Sequence, residues 1–171
     1  MKKLVIIFAI SMCLYACNSS GITDEKKNAA NIELITNYVK AVEDLNFEAM
    51  ANYLDDNYIG MGPSYGDTIH KAEAVANWKA NVANLYEKIH YNRSLMAAVT
   101  IPDGDNKGDW VSNWAELHIV YKNGGDEVTI WANTSYQVEN GKIVKSFTVY
   151  NEADALRQLG YKIIAPEKIN Q

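Results

Sequence analysis

The chain has 171 residues, 48% hydrophobic and 22% charged, a composition that points to a folded globular chain rather than a disordered one. That length gives about one ordinary domain, large enough to bury a core without disulfides or a structural metal. The formal net charge is −5 and no basic cluster is longer than Lys26-Lys27, so no nucleic-acid partner is expected.

The chain opens on Met1-Lys2-Lys3, a positive start. Leu4 to Leu14 is apolar and too short to span a bilayer. Leu14-Tyr15-Ala16-Cys17 closes this run. It resembles the bacterial lipobox, and the resemblance implies a signal peptide over residues 1–16 that is cut before Cys17. It also implies a diacylglycerol on the Cys17 thiol and a further acyl chain, of the palmitate kind, on the new amine. Several chains at about 0.8 kcal/mol per buried CH₂ give a lasting membrane anchor. Asn18 stands where an enterobacterial retention signal has Asp, which favours the outer membrane of a cell envelope over the inner one. Loss of Lys2 and Lys3 takes the mature chain to −7. With Cys13 removed and Cys17 alkylated, no free thiol is left for disulfide or CxxC chemistry. Residues 17–29 are expected to form the lipidated cysteine and a flexible tether. Residues 30–162 form the domain and 163–171 a tail.

From Asn31 the pattern turns helical, with Ile35, Tyr38, Val42 and Leu45 on one face. A second short helix runs from Phe47 to Leu54. Tyr58 to Met61 reads as a short strand, stopped by Gly62-Pro63. Asp67 or Thr68 is expected to cap a third helix, whose stripe is Val75, Trp78, Val82, Leu85 and Ile89. After Ile89 the period becomes two. Strands are expected over Tyr91–Ile101, Trp110–Tyr121, Val128–Val138 and Ile143–Tyr150, joined by hairpin signals such as Asn140-Gly141. Asn151 caps a last helix that Gly160 ends. Helices first and hairpin-linked antiparallel strands after them make an α+β domain, with helices on one face of a curved sheet.

Tyr136-Gln137-Val138-Glu139-Asn140-Gly141-Lys142-Ile143-Val144 is similar to a hairpin of the SnoaL-like branch of the NTF2-like superfamily. Tyr150-Asn151, Leu156 and Gln158-Leu159-Gly160 match the strand end, cap and terminal helix of that family. Asn46 to Met50 resembles the step after its opening helix. The resemblance covers nearly the whole domain and implies a cone-shaped cavity between helices and sheet. It is weak for function, because the superfamily holds isomerases, cyclases, dehydratases, epoxide hydrolases and domains without activity. Alignment with the epoxide-hydrolase members places their Asp-Arg-Asp set at Glu116, Trp114 and Thr148, so the Arg and one carboxylate are missing.

The same alignment turns Trp110, Ser112, Trp114, Glu116 and His118 into the cavity, with Ile130, Ala132, Thr134 and Tyr136 and then Ser146, Thr148 and Tyr150 beside them. Glu116 is then the candidate general base, its pKa raised by desolvation between Trp114 and Tyr150, with His118 as its partner. Tyr150 or Tyr58 is the candidate donor, and Tyr58, Trp78, Trp114 and Thr148 the candidate ligand-binding wall. Gly62-Pro63-Ser64-Tyr65-Gly66 matches G-x-S-x-G by letter, but the surrounding pattern is that of a loop, not of a nucleophile elbow. His70, His90 and His118 have no ligand spacing and there is no phosphate-binding loop, so neither metal nor cofactor is expected. Trp131, Phe147 and Val149 fall on the convex face, a candidate homodimer surface. The leading expectation is a module that binds a small, mostly apolar ligand. The alternatives are an isomerase, dehydratase or cyclase using Glu116, and an accessory protein acting through the convex face.

Overall fold

The apolar stripe Ile35, Tyr38, Val39 and Val42 is buried along its length and seats helix α1 (Ser19–Glu43) on a sheet. The computed structural model describes residues 19–122, 125, 127–162 and 164. The signal segment 1–16 and Cys17 lie outside the described residues, as do 163 and 165–171 of the expected tail. The expected flexible tether is corrected where it is described, because the chain is helical from Ser19 onward. The physical reason is tertiary: Lys27 Nζ lies 2.8 Å from the Asp109 carboxylate and donates to Thr100 Oγ1 at 3.3 Å. At the other end of α1 the Glu43 carboxylate accepts from Tyr91 N and from His90 Nδ1, both at 2.8 Å. The helix is thus fixed to the sheet at two points, Lys27 and its last residue Glu43.

Helix α2 (Phe47–Tyr53) starts where the Asn46 side chain accepts from Ala49 N at 2.9 Å. Strand β1 (Leu54–Met61) follows, and then β2 (Thr68–His70), which pairs antiparallel to it. Helix α3 (Lys71–Asn84) starts after His70, not at Asp67 or Thr68, because those residues lead into β2. It also ends before Ile89, which lies in β3 (Tyr86–Ile101). Strands β4 (Gly108–Tyr121), β5 (Val128–Glu139) and β6 (Lys142–Tyr150) complete the sheet. Asn140 and Gly141, both at positive φ, turn β5 into β6. Helix α4 (Glu152–Gln158) is capped by the Asn151 side chain, which accepts from Asp154 N at 3.1 Å, and Gly160 at φ +85 ends it.

The architecture is α+β: helices lie against a six-stranded mixed sheet of order β2-β1-β6-β5-β4-β3. The long strands are antiparallel, while β1 joins β6 in parallel. Two bulges in β3, after Tyr86 and after Asn92, bend the sheet around the helices. Ile35, Val42, Met50, Val111 and Ile143 form the centre of the core, all nearly closed to solvent. Each such side chain contributes roughly 1.5–3 kcal/mol by burial.

A tyrosine-lined hollow as the candidate functional site

Between α1, α3, α4 and the concave sheet face lies a cavity of about 220 Å³. Pairing across the sheet fixes which side chains reach it. Thr134 on β5 stands opposite Asn113 on β4 and Thr148 on β6, and opposed residues share a face. The inward set of β5 is therefore Ile130, Ala132, Thr134 and Tyr136, and that of β6 is Ser146, Thr148 and Tyr150. On β4 the inward set is odd-numbered: Asn113, Ala115, Leu117, Ile119 and Tyr121.

Of the candidate site residues, Tyr58, Trp78, Thr148 and Tyr150 line the hollow. Trp114, Glu116 and His118 do not. They stand opposite Asn133, Trp131 and Thr129 on the convex face, so their expected inward placement is corrected by one residue of register. The bulge after Asn92 explains why β3 gives no simple guide. Before it Ile89 and Tyr91 share the inward face with Ile119 and Leu117, and after it Met96 and Ala98 do so with Asn113 and Val111. The residues missed by sequence reasoning are Tyr86, Tyr91, Leu117, Ile119 and Tyr121. The signal was present on β4, since Val111, Ala115, Leu117 and Ile119 make that face apolar but for Asn113, while the other face mixes Trp with Ser, Glu and His.

The chemistry of the hollow is that of aromatic walls and hydroxyls. Trp78, Tyr86 and Tyr121 stack in series, with ring centroids 6.0 and 5.8 Å apart. Tyr58 Oη and Ser146 Oγ are hydrogen-bonded at 2.6 Å, and Thr134 and Thr148 at 3.1 Å. Burial pushes the Tyr86 phenol up to about 12 and the Tyr38, Tyr91 and Tyr136 phenols well above their ordinary value. Burial also raises Tyr58, where the bond to Ser146 works against it, and Tyr150. These phenols are neutral at physiological pH and act as hydrogen-bond donors, not bases. Among the described residues lining the hollow there is no Asp, Glu, His, Lys, Arg or Cys. Asn113, opposite Thr134, is 2% exposed; its Oδ1 accepts from Ser94 Oγ at 2.7 Å and its Nδ2 has no partner among the described residues.

Glu116 and His118 instead form an ion network on the outside. The His118 ring bonds Glu127 Oε1 through Nδ1 at 2.7 Å and Glu116 Oε1 through Nε2 at 2.9 Å. Arg93 and Asn92 also reach the Glu116 carboxylate, at 3.4 and 3.2 Å. The bond to His118 holds Glu116 below the ordinary carboxylate range, opposite to the rise expected of a desolvated base. Both carboxylates, Glu127 first, raise His118. The G-x-S-x-G letters form the β1–β2 loop, in which Gly62 N donates to Asp67 O and Asp67 N to Ser64 O, both at 3.2 Å. It is a turn between antiparallel strands.

Residues 35–146 match the family model of the SnoaL-like domain. The chain belongs to the SnoaL-like domain family. Solved structures share the fold of this SnoaL-like, NTF2-like domain at low identity. A putative polyketide cyclase of Xanthomonas campestris pv. campestris is 13% identical over 77% of this chain and 98% of its own, with a TM-score of 0.63. A putative SnoaL-like polyketide cyclase of Shewanella denitrificans OS-217 is 11% identical over 76% and 96%, with a TM-score of 0.61. An LEH-like epoxide hydrolase of M. tuberculosis is 13% identical over 78% and 91%, with a TM-score of 0.58. No functionally curated protein matches the chain in sequence.

The outer network sets a pH dependence. A raised His118 contributes stability fully below its ordinary 6.5 and loses it as pH rises through the folded-state value. Lowered Glu116 and Glu127 contribute fully above their ordinary 4.5 and lose it on acidification. The network therefore stabilises most between these two values. Urea midpoints measured from about pH 6 to pH 8.5 should fall for the native chain, and His118→Gln should flatten that fall.

Proposed function

We propose that this SnoaL-like domain is a membrane-anchored binding module that holds a small, largely apolar ligand in the tyrosine-lined hollow without transforming it. The observation that carries this reading is the absence of Asp, Glu, His, Lys, Arg and Cys among the described lining residues, whose tyrosines burial keeps neutral. Aromatic walls supply apolar contact, and neutral phenols with Thr134 and Thr148 supply a few oriented hydrogen bonds, the usual division of labour in a ligand pocket. An isomerase, dehydratase or cyclase using Glu116 finds no support in the geometry, because Glu116 is on the far side of the sheet and held as an ion by His118. The anchor is the lipid on Cys17, and Asn18, standing where a retention signal has Asp, favours the outer membrane of the cell envelope over the inner one.

The convex face supports a second element of the proposal, a homodimer. Leu95, Trp114, Trp131, Phe147 and Val149 are exposed there, with Trp131 at 63%. Apolar groups gathered on one sheet face favour burial against a matching surface, and a second copy presents the same patch.

Native mass spectrometry of the protein purified from its own envelope should show a retained small molecule. Thr148→Trp, which fills the hollow, should lower its occupancy at least about tenfold, equivalent to ~1.4 kcal/mol, while Glu116→Gln leaves it unchanged. Loss with Glu116→Gln and retention with Thr148→Trp would reverse the assignment. Light scattering of a lipid-free chain should give a dimer mass at micromolar concentration and a monomer after Trp131→Glu; a monomer for both chains removes the dimer.

A further inference from the structure

We infer that the ligand of the hollow is an uncharged single-ring molecule with one oxygen group, a hydroxyl or a carbonyl, which sits on the Thr134–Thr148 pair while the ring lies against Tyr91, Leu117 and Ile130. This rests on the binding function proposed above and adds the charge, size and seat of the ligand.

Strand register divides the inward face into levels two residues apart, about 7 Å. Thr134 and Thr148 share one level. Ala115, Ala132 and Tyr150 share the next. Leu117 and Ile130 share the one after, and there Tyr91 of β3 stands opposite Leu117. Thr134, Thr148, Tyr150, Leu117, Ile130 and Tyr91 all line the hollow. The methyl groups of Ala115 and Ala132 leave room above the sheet, between a hydroxyl level on one side and an apolar level on the other.

The hydroxyl level has bonding capacity to spare. Thr134 and Thr148 hold two hydroxyl protons, and the bond between them at 3.1 Å uses one. The other proton is left to donate, and lone pairs are left to accept. Both residues are half-buried, so the pair is not closed off by packing. A carbonyl or a hydroxyl satisfies such a pair. A full charge does not, because the described lining residues include no Lys, Arg or His to meet an anion and no Asp or Glu to meet a cation. Burying an ion without a partner costs far more than burying a neutral polar group.

Size sets the remaining limit. A cavity of roughly 150 Å³ suffices for benzene, so the hollow, at about 220 Å³, takes one ring and a small substituent.

The test is calorimetric titration of the full chain carrying Cys17→Ser with four probes of one shape: cyclohexylmethanol, methylcyclohexane, cyclohexanecarboxylate and cyclohexylmethylammonium. Cyclohexylmethanol should bind at least about tenfold tighter than each of the others, the value of one added hydrogen bond. Thr134→Val combined with Thr148→Val should abolish its advantage over methylcyclohexane, and Thr148→Ser, which keeps the hydroxyl, should preserve it. Equal or tighter binding of the carboxylate or the ammonium ion overturns the uncharged class. Equal binding of cyclohexylmethanol and methylcyclohexane by the native hollow overturns the threonine seat and leaves the binding function standing. Binding of none of the four, with a molecule still retained from the envelope, overturns the single-ring class. Binding of none, with nothing retained, overturns the binding function itself.

Discussion

The placement of the side chains that β4, β5 and β6 give to the hollow depends on the registration of these three strands at Thr134. Opposite Asn113 on one flank and Thr148 on the other, Thr134 turns one half of each alternating strand inward. The Thr134–Thr148 hydrogen bond at 3.1 Å and the Ser112–Ser135 bond at 2.9 Å fasten the register on opposite faces of the sheet. A slip by one residue would bring Glu116 inside and put Leu117 and Ile119 in water. The cost of exposing those apolar side chains while burying a carboxylate sets the direction of the sheet.

That registration makes the two faces chemically different. The concave face gathers phenols, indole and aliphatic groups around a small space, and burial keeps the phenols protonated. The convex face carries the charges, with His118 bridging Glu116 and Glu127, next to the exposed Trp114 and Trp131. Family membership allows catalysis but does not require it. The contacts of Lys27 and Glu43 tie α1 to the sheet that carries this hollow.

Much of the fold was legible because local chemistry and tertiary structure agree. Asn151 caps α4, Asn140-Gly141 turns a hairpin, and the even-numbered residues of β5 and β6 face inward as alternation requires. The failures have physical reasons. The spacing of Leu85 and Ile89 is four, a step that suits a helix face and a strand face alike, so periodicity does not mark where α3 ends. β2 has only three residues and owes its strand form to Ile59, Gly60 and Met61 across from it. The bulge at Arg93 and Ser94 changes the parity of β3 in mid-strand, so counting alone cannot carry a face assignment along it. On β4 the family alignment points the Trp-, Glu- and His-bearing face inward, whereas the face that is apolar but for Asn113 goes there, as burial demands. The first turns of α1 have the polar composition of a tether; Lys27 and its partner Asp109 are 82 residues apart, a pairing no local pattern announces.

The claim on which the account turns is that β4 presents Leu117 to the hollow and Glu116 to the convex face. Reaction rates with a charged thiol reagent test it directly, using Glu116→Cys and Leu117→Cys in a chain whose Cys13 and Cys17 are replaced by serine. The account predicts rapid modification at position 116 and strong protection at 117. Protection at 116 with rapid modification at 117 would contradict it.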